Sequence, residues 1–276
     1  MKRLLCLSAL LLLLPATLLR AQTEAEIDSW SDAKIDSIQV EKQYLINNYS
    51  MIGVQYGYGL LNTWFNPPRE TTWRHAPLSF GVSWTRYYKM FGLYPYFGLQ
   101  IALLYGHQGF SFKKNPETGV TPTQDGMTGA LLRVVELPVL MQGHLDAGPL
   151  KFLVDAGSYV GYRLSIERFG EGGDPAFAQA FKPSDYRFDY GLKGGVGIGY
   201  QLDRVELHLK GTFKWSLQSY YEPNYYSQYY YRFSNPFDVH ISVGVHLLLE
   251  KRRGRTRAML REEARRMVQE AQNTQP

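Results

Sequence analysis

The 276-residue chain has a single cysteine and a formal net charge of only +5. That leaves no disulfide framework and no strongly basic face of the kind that binds nucleic acid. Hydrophobic residues make up 45%, yet beyond the first 21 residues no stretch has the roughly 20 continuous apolar residues of a membrane helix.

The first element, residues 1–21, opens with Lys2 and Arg3, continues as an apolar run from Leu4 through Leu19, and exits at Ala21 and Gln22. A basic start, an apolar middle and a small residue at the exit make a secretory signal peptide. Cys6 lies too early in that run to be the lipid-modified cysteine of a lipoprotein, so the mature chain is left without a thiol. Removing Lys2, Arg3 and Arg20 lowers the formal charge to about +2. Residues 22–48 are polar and mildly acidic with weak helical spacing, and read as a periplasmic lead.

Residues 49–250 contain about eight runs in which apolar and polar side chains alternate, the period of a strand with two different faces. The first sets Ile52, Val54, Tyr56, Tyr58 and Leu60 against Gly53, Gln55, Gly57 and Gly59. The second sets Leu78, Phe80, Val82 and Trp84 against Ser79, Gly81, Ser83 and Thr85. The third, residues 94–107, places Phe97, Leu99, Ile101, Leu103 and Tyr105 on one face. The fourth, residues 129–145, sets Val135, Leu137, Val139 and Met141 opposite Glu136 and Gln142. The fifth carries Phe152, Val154, Ala156, Val160, Tyr162 and Leu164 against Lys151, Asp155, Gly157, Gly161 and Arg163. The sixth carries Tyr190, Leu192, Val196, Ile198 and Tyr200 against glycines and Lys193. The seventh alternates Val205, Leu207, Leu209, Phe213, Trp215 and Leu217 with Glu206, His208, Lys210, Thr212, Lys214 and Ser216. The eighth, residues 237–247, alternates without a break.

The links alternate too. Those near residues 89–93, 146–149 and 203 are tight, whereas 61–76, 109–128, 167–187 and 218–235 are long. Dyad-repeat strands with short turns at one end and long links at the other are the pattern of an outer-membrane β-barrel, and an even strand number returns both termini to the periplasm. A secreted lipocalin-like barrel is the competing architecture. Its apolar face would point inward. Here glycine and charge crowd one face while large aliphatic and aromatic side chains crowd the other, which suits a narrow lumen and a lipid exterior. The 21 tyrosines suit aromatic girdles.

Residues 251–276 hold eight basic and three acidic side chains. Met259, Leu260, Ala264, Met267 and Val268 recur at helical spacing among Arg257, Arg261, Arg265 and Arg266, so this tail reads as a basic amphipathic helix in the periplasm and a candidate contact for an envelope protein.

Four motifs, in this order and spacing, carry a resemblance: Asn48-Tyr-Ser-Met-Ile-Gly-Val-Gln-Tyr-Gly, Tyr94-Pro-Tyr-Phe-Gly-Leu-Gln, Val135-Glu-Leu-Pro-Val and Ala156-Gly-Ser-Tyr-Val-Gly-Tyr-Arg. Over residues 44–249 the chain resembles the PorT-like outer-membrane β-barrels of Bacteroidetes. The resemblance implies an eight-stranded barrel and, through the family's link to type IX secretion, an accessory role in a secretion machine. The chain departs from it after Pro138, where Leu140-Met-Gln-Gly replaces a basic run, and in its basic tail.

Glu136, Asp155, Arg163, Lys193, Glu206 and Lys210 share the face assigned to the lumen, where opposite charges would pair and plug a narrow barrel. Gly195-Val-Gly-Ile-Gly mimics a phosphate loop but lies within a strand and opens no helix. His208 and His246 fall on the lumen face close to one another, but no third metal ligand accompanies them. His75, His107, Asp125, Asp174 and Asp185 stand in no spacing that joins a nucleophile, a base and an orienting acid. A site acting on lipid or protein is therefore only an alternative, and the reading is a non-enzymatic barrel without metal or cofactor. The tyrosine-rich link, with Tyr220, Tyr221, Tyr225, Tyr226, Tyr229, Tyr230 and Tyr231, offers either surface recognition or an outer aromatic girdle. Outer-membrane lipid is the predicted surrounding, and surface binding or envelope assembly the predicted task.

Overall fold

A computed structural model describes residues 47–90, 94–123, 127–170, 179–223 and 232–250. The leader, all of the lead but its last two residues, the basic tail and Tyr225, Tyr226, Tyr229, Tyr230 and Tyr231 lie outside the described residues. The alternating runs become long antiparallel strands: β1 (Tyr49–Asn66), β4 (Ser79–Met90), β5 (Tyr94–Phe112), β6 (Gly129–Ala147), β7 (Leu150–Phe169), β8 (Phe188–Gln201), β9 (Val205–Ser216) and β10 (Phe233–Leu248). Each long strand pairs with its neighbour in sequence, and β10 returns to β1 from Met51↔Leu248 to Asn66↔Phe233, so the sheet closes on itself.

The described residues hold ten strands where the alternation predicts eight. The additional two, β2 (Thr71–Thr72) and β3 (Arg74–His75), are two residues each and lie within the first long link. Two residues are too few to register as a period. The long strands also outrun their predicted ends on the long-link side: β1 continues through Asn66, and β5 through Phe112. There Asn62, Thr63, Gln108 and Ser111 mix polar residues into both faces, so pairing persists after the alternation has stopped.

The faces are inverted relative to a water-soluble protein. Val54, Val82, Leu137, Val196, Leu209 and Val243 are exposed on the outside, with Val196 at 62%. Arg163, at 0%, is among the largest fully buried side chains, and Lys151, Lys214 and Asp155 are buried with it. Charged residues are almost never buried in a soluble core without partners. A polar interior behind an apolar outer band is the arrangement of a barrel in lipid.

Glycine is required at particular points. Gly148, with φ +67°, turns the chain between β6 and β7 in the left-handed region where a Cβ is costly. At Gly53 a Cβ would stand 2.0 Å from Nδ1 of His246, so the small residue makes room for the imidazole inside the barrel.

Candidate functional site: the charged lumen

Inward-pointing positions on five strands, β6 to β10, bring five basic side chains (Lys151, Arg163, Lys193, Lys210, Lys214) together with five acidic ones (Glu136, Asp155, Asp189, Glu206, Asp238), all buried. They pair in tiers along the barrel. Nearest the tight turns, Lys151 Nζ donates to Glu206 Oε1 at 2.6 Å and to the Tyr49 hydroxyl, which itself donates to Glu206 Oε1 at 2.8 Å. The other Glu206 oxygen lies 3.1 Å from His208 Nε2. The His208 and His246 rings face each other with centroids 4.0 Å apart. Tyr49, Met51, Tyr87 and Leu248 form an apolar cluster at the same end, and Tyr87 donates to Gln142 at 2.5 Å.

In the middle, Lys210 donates to Asp155 Oδ2 at 3.0 Å and to Gln100 at 3.2 Å. Above it, Glu136 receives Lys214 at 2.5 Å on one oxygen and Lys193 at 3.3 Å on the other, while Lys214 lies 2.8 Å from Asp238. Near the long links, Arg163 pairs with Asp189 at 3.1 Å and donates to Gln108 at 3.1 Å. It also donates to the carbonyls of Tyr186 and Ser219, each at 2.9 Å. Asp189 further accepts from Gln108 at 2.5 Å, from Tyr159 at 3.1 Å and from Ser216.

The long-link mouth is filled by hydrocarbon. Phe65, Phe110, Phe112, Ala130, Leu132, Val134, Ile166 and Tyr220 form one buried cluster, with Phe181 and Tyr221 packed against it. Phe65 meets Phe110 edge-on at 4.9 Å, and the Arg163 guanidinium lies 4.8 Å from the Tyr220 ring centre. The links that cover this mouth are tied together: Tyr186 N donates to Tyr220 O, Glu222 N to Ser184 O, and Arg168 pairs with Asp185.

Of the six lumen residues picked out from the sequence, the structure joins Glu136 to Lys193 and Asp155 to Lys210. Arg163 and Glu206 take other partners. Lys151, Asp189, Lys214 and Asp238 complete the set, and each sits at an inward position of its strand that the alternation already marks. Tyr220 faces inward rather than outward, and burial pushes its hydroxyl pKa up. Tyr221 is half-buried and bridges to Asp185. Among the described residues no group of three or more histidine, cysteine, aspartate or glutamate side chains could hold a metal ion.

Buried pairs of this kind are costly to desolvate and costly to break singly, because removing one partner strands the other charge. With every lysine and arginine of the set held against an acid, the lumen has the chemistry of a polar core.

Comparison with known proteins agrees on the class. Residues 31–222 match the model of the family described as outer membrane protein beta-barrel domain. No curated protein matches the chain. Among solved structures it is similar to Neisserial surface protein A, at 15% identity and a TM-score of 0.40, over 71% of this chain and 96% of that one. It is also similar to outer membrane protein OprG from Pseudomonas aeruginosa, at 10% identity and a TM-score of 0.44, over 74% and 97%. A third is Ail, the attachment invasion locus protein of Yersinia pestis, at 9% identity and a TM-score of 0.37, over 72% and 99%.

Proposed function

The chain belongs to the outer membrane protein beta-barrel domain family, and from that premise we propose a non-conducting, non-enzymatic barrel that works at its ends, in surface binding or envelope assembly. The wall in the membrane is the ring of eight long strands. Both termini lie in the periplasm, and the basic tail forms a helix there that contacts an envelope partner. The observation that carries this reading is the matched set of buried ion pairs, Lys151–Glu206, Lys210–Asp155, Lys193–Glu136, Lys214–Asp238 and Arg163–Asp189, stacked along the lumen under an aromatic cap. Side chains locked to one another across a narrow barrel obstruct its interior, so the surfaces left for recognition are the two rims.

Planar-bilayer recording tests this directly. Purified protein should give no stable unitary current above that of an empty-detergent control. Reproducible steps that change size in a Lys193 or Glu136 variant would refute it. A second reading, an accessory subunit of a type IX-like secretion machine, is favoured by the four motifs shared in order with PorT-like barrels. Affinity purification from native membranes separates the two, since a secretion subunit should bring down the same envelope components in every repeat.

A further inference from the structure

Along β6 the outward row reads Leu131, Arg133, Val135, Leu137, Val139 and Met141, one cation in an otherwise apolar series. The alternate residues Ala130, Leu132, Val134 and Glu136 are buried, so Arg133 stands on the outer wall, where it is exposed. Among the described residues its guanidinium makes no hydrogen bond or ion pair. A charge beside hydrocarbon is costly unless it is paired or reaches the headgroups.

The neighbouring strands fix its depth. Val135 pairs with Tyr105 on β5 and with Tyr162 on β7, and Tyr162 pairs with Phe188 on β8. Paired residues share a face. The three rings therefore form a row around the wall, as in the aromatic belt between hydrocarbon and headgroups. Arg133 lies two residues farther toward the long links, about 7 Å along the strand. It thus has a tyrosine diagonal to it on either side. Toward the tight turns the same faces carry Leu103, Leu137, Val139 and Val160, all exposed, which give an acyl chain an apolar track.

The β-bulge brings a further donor. Arg133 pairs with Ser165 and Val134 with Arg163, so Leu164 is the extra residue. Without it, Leu164 would stand opposite Arg133. With it, Ser165 does, at a Cβ separation of about 5 Å. An aliphatic neighbour is replaced by a hydroxyl. His107, opposite Arg133 on β5, is buried and offers no surface to a ligand. Glu167, opposite Leu131, is the exposed acid on this face and makes no ion pair with Arg133.

We propose that Arg133, Ser165, Tyr105 and Tyr162 form a site on the outer wall for an anionic lipid with a terminal phosphate. The guanidinium fork donates to two phosphate oxygens, and the serine and tyrosine hydroxyls are donors for the third. A terminal phosphate presents three oxygens to donors that arrive from three strands, one more than a diester presents. The acyl chain lies over Leu137, between the two rings. The site rests on the barrel standing in lipid and not on a closed lumen, so a conducting lumen would leave it in place.

Native mass spectrometry of the full-length protein in detergent, titrated with dioctanoyl phosphatidic acid, reads the affinity for the first lipid bound. Arg133→Gln should weaken it about tenfold, a change of about 1.4 kcal/mol. Arg133→Lys, which keeps the charge without the fork, should fall between. Glu167→Gln, which removes the nearby acid, should strengthen binding. Lys114→Gln, at an exposed cation on the link after β5, should leave it unchanged. Dioctanoyl phosphatidylcholine should bind the unaltered protein and Arg133→Gln alike. Glycerol 3-phosphate, a head without chains, should not displace the lipid at equal concentration. Heat-modifiable gel mobility shows that each variant is folded. Unchanged affinity in folded Arg133→Gln, an equal loss in Lys114→Gln, or displacement by glycerol 3-phosphate would each overturn the proposal.

Discussion

The two ends of the lumen are closed by different chemistry. At the tight-turn end the seal is polar: Lys151, Tyr49, Glu206 and His208 form a hydrogen-bonded knot beside a small apolar cluster. At the long-link end the seal is hydrocarbon, a phenylalanine-rich cluster held down by one arginine that reaches from β7 to the carbonyls of two links. Among the described residues, strands close the first end. The second depends on links folding over the mouth, so it needs an anchor that joins link to wall, and Arg163 is that anchor.

Arg163→Ala is expected to have the largest effect. It strands Asp189 and frees both links, and breaking one half of a buried pair costs about 3–5 kcal/mol. Lys151→Ala breaks a buried pair too, but its described polar partners, Glu206 and Tyr49, both lie in strands. Urea titration of the refolded proteins in detergent should show both losses, whereas limited proteolysis should cut the 179–187 and 217–223 links faster only in Arg163→Ala. Equal cleavage in both variants would mean that the outer cap holds itself.

Phe110→Ala probes the hydrocarbon seal without touching a charge. Truncating a buried phenylalanine costs about 3–5 kcal/mol where the site cannot collapse, and here the expected loss is toward the lower bound because Phe65, Phe112 and Tyr220 crowd the same ring. The same titration measures it. A loss exceeding that of Arg163→Ala would reverse the ranking of packing and anchor.

The wall offers a comparison of inside with outside at adjacent positions. Val243 is 55% exposed on the apolar face, and Ser242 lies on the inner one with the lumen residues Lys193 and Lys210. A lysine at the bilayer midplane on the lipid face costs about 2–4 kcal/mol. Val243→Lys should therefore reduce the heat-modifiable, folded fraction in lipid more than Ser242→Lys. Equal tolerance would argue that the outer face of β10 does not meet hydrocarbon.

Most of the architecture is legible because one physical rule, two media on two faces, writes itself into period-two spacing. Ile52 to Leu60 and 237–247 declare their strands by that rule alone, and the same parity identifies Lys214 and Asp238 as inward-facing. What alternation does not carry is which inward residues meet. Arg163 pairs with Asp189, 26 residues away, and Lys151 with Glu206, 55 residues away, through a register set by the β7–β8 and β8–β9 ladders and by link lengths. Tyr220 was hidden for another reason: a run of tyrosines reads as a surface until the partners of its first member, Phe110 and Arg163, are in place.

The smallest effect on the fold should come from the tail. The ladder that closes the barrel ends at Met51↔Leu248, and Leu249 N still donates to Ser50 O. The last described contact beyond it is the Arg86–Glu250 pair at 2.8 Å, half exposed on the glutamate side and worth at most about 1 kcal/mol. Deleting residues 254–276 leaves all of these in place. Melting temperature and folded yield should therefore match the full-length protein within about 0.5 kcal/mol, the range of surface changes that touch no buried group. Loss should appear instead in association. Basic residues next to an anionic leaflet each contribute about 1 kcal/mol, screened over a Debye length, and the stripe of Met259, Leu260, Met267 and Val268 adds apolar contact. Co-purification from native membranes should lose a periplasmic partner on truncation. A truncated barrel that fails to insert, or one that keeps every partner of the full chain, would show that the tail serves the fold or serves nothing at this rim.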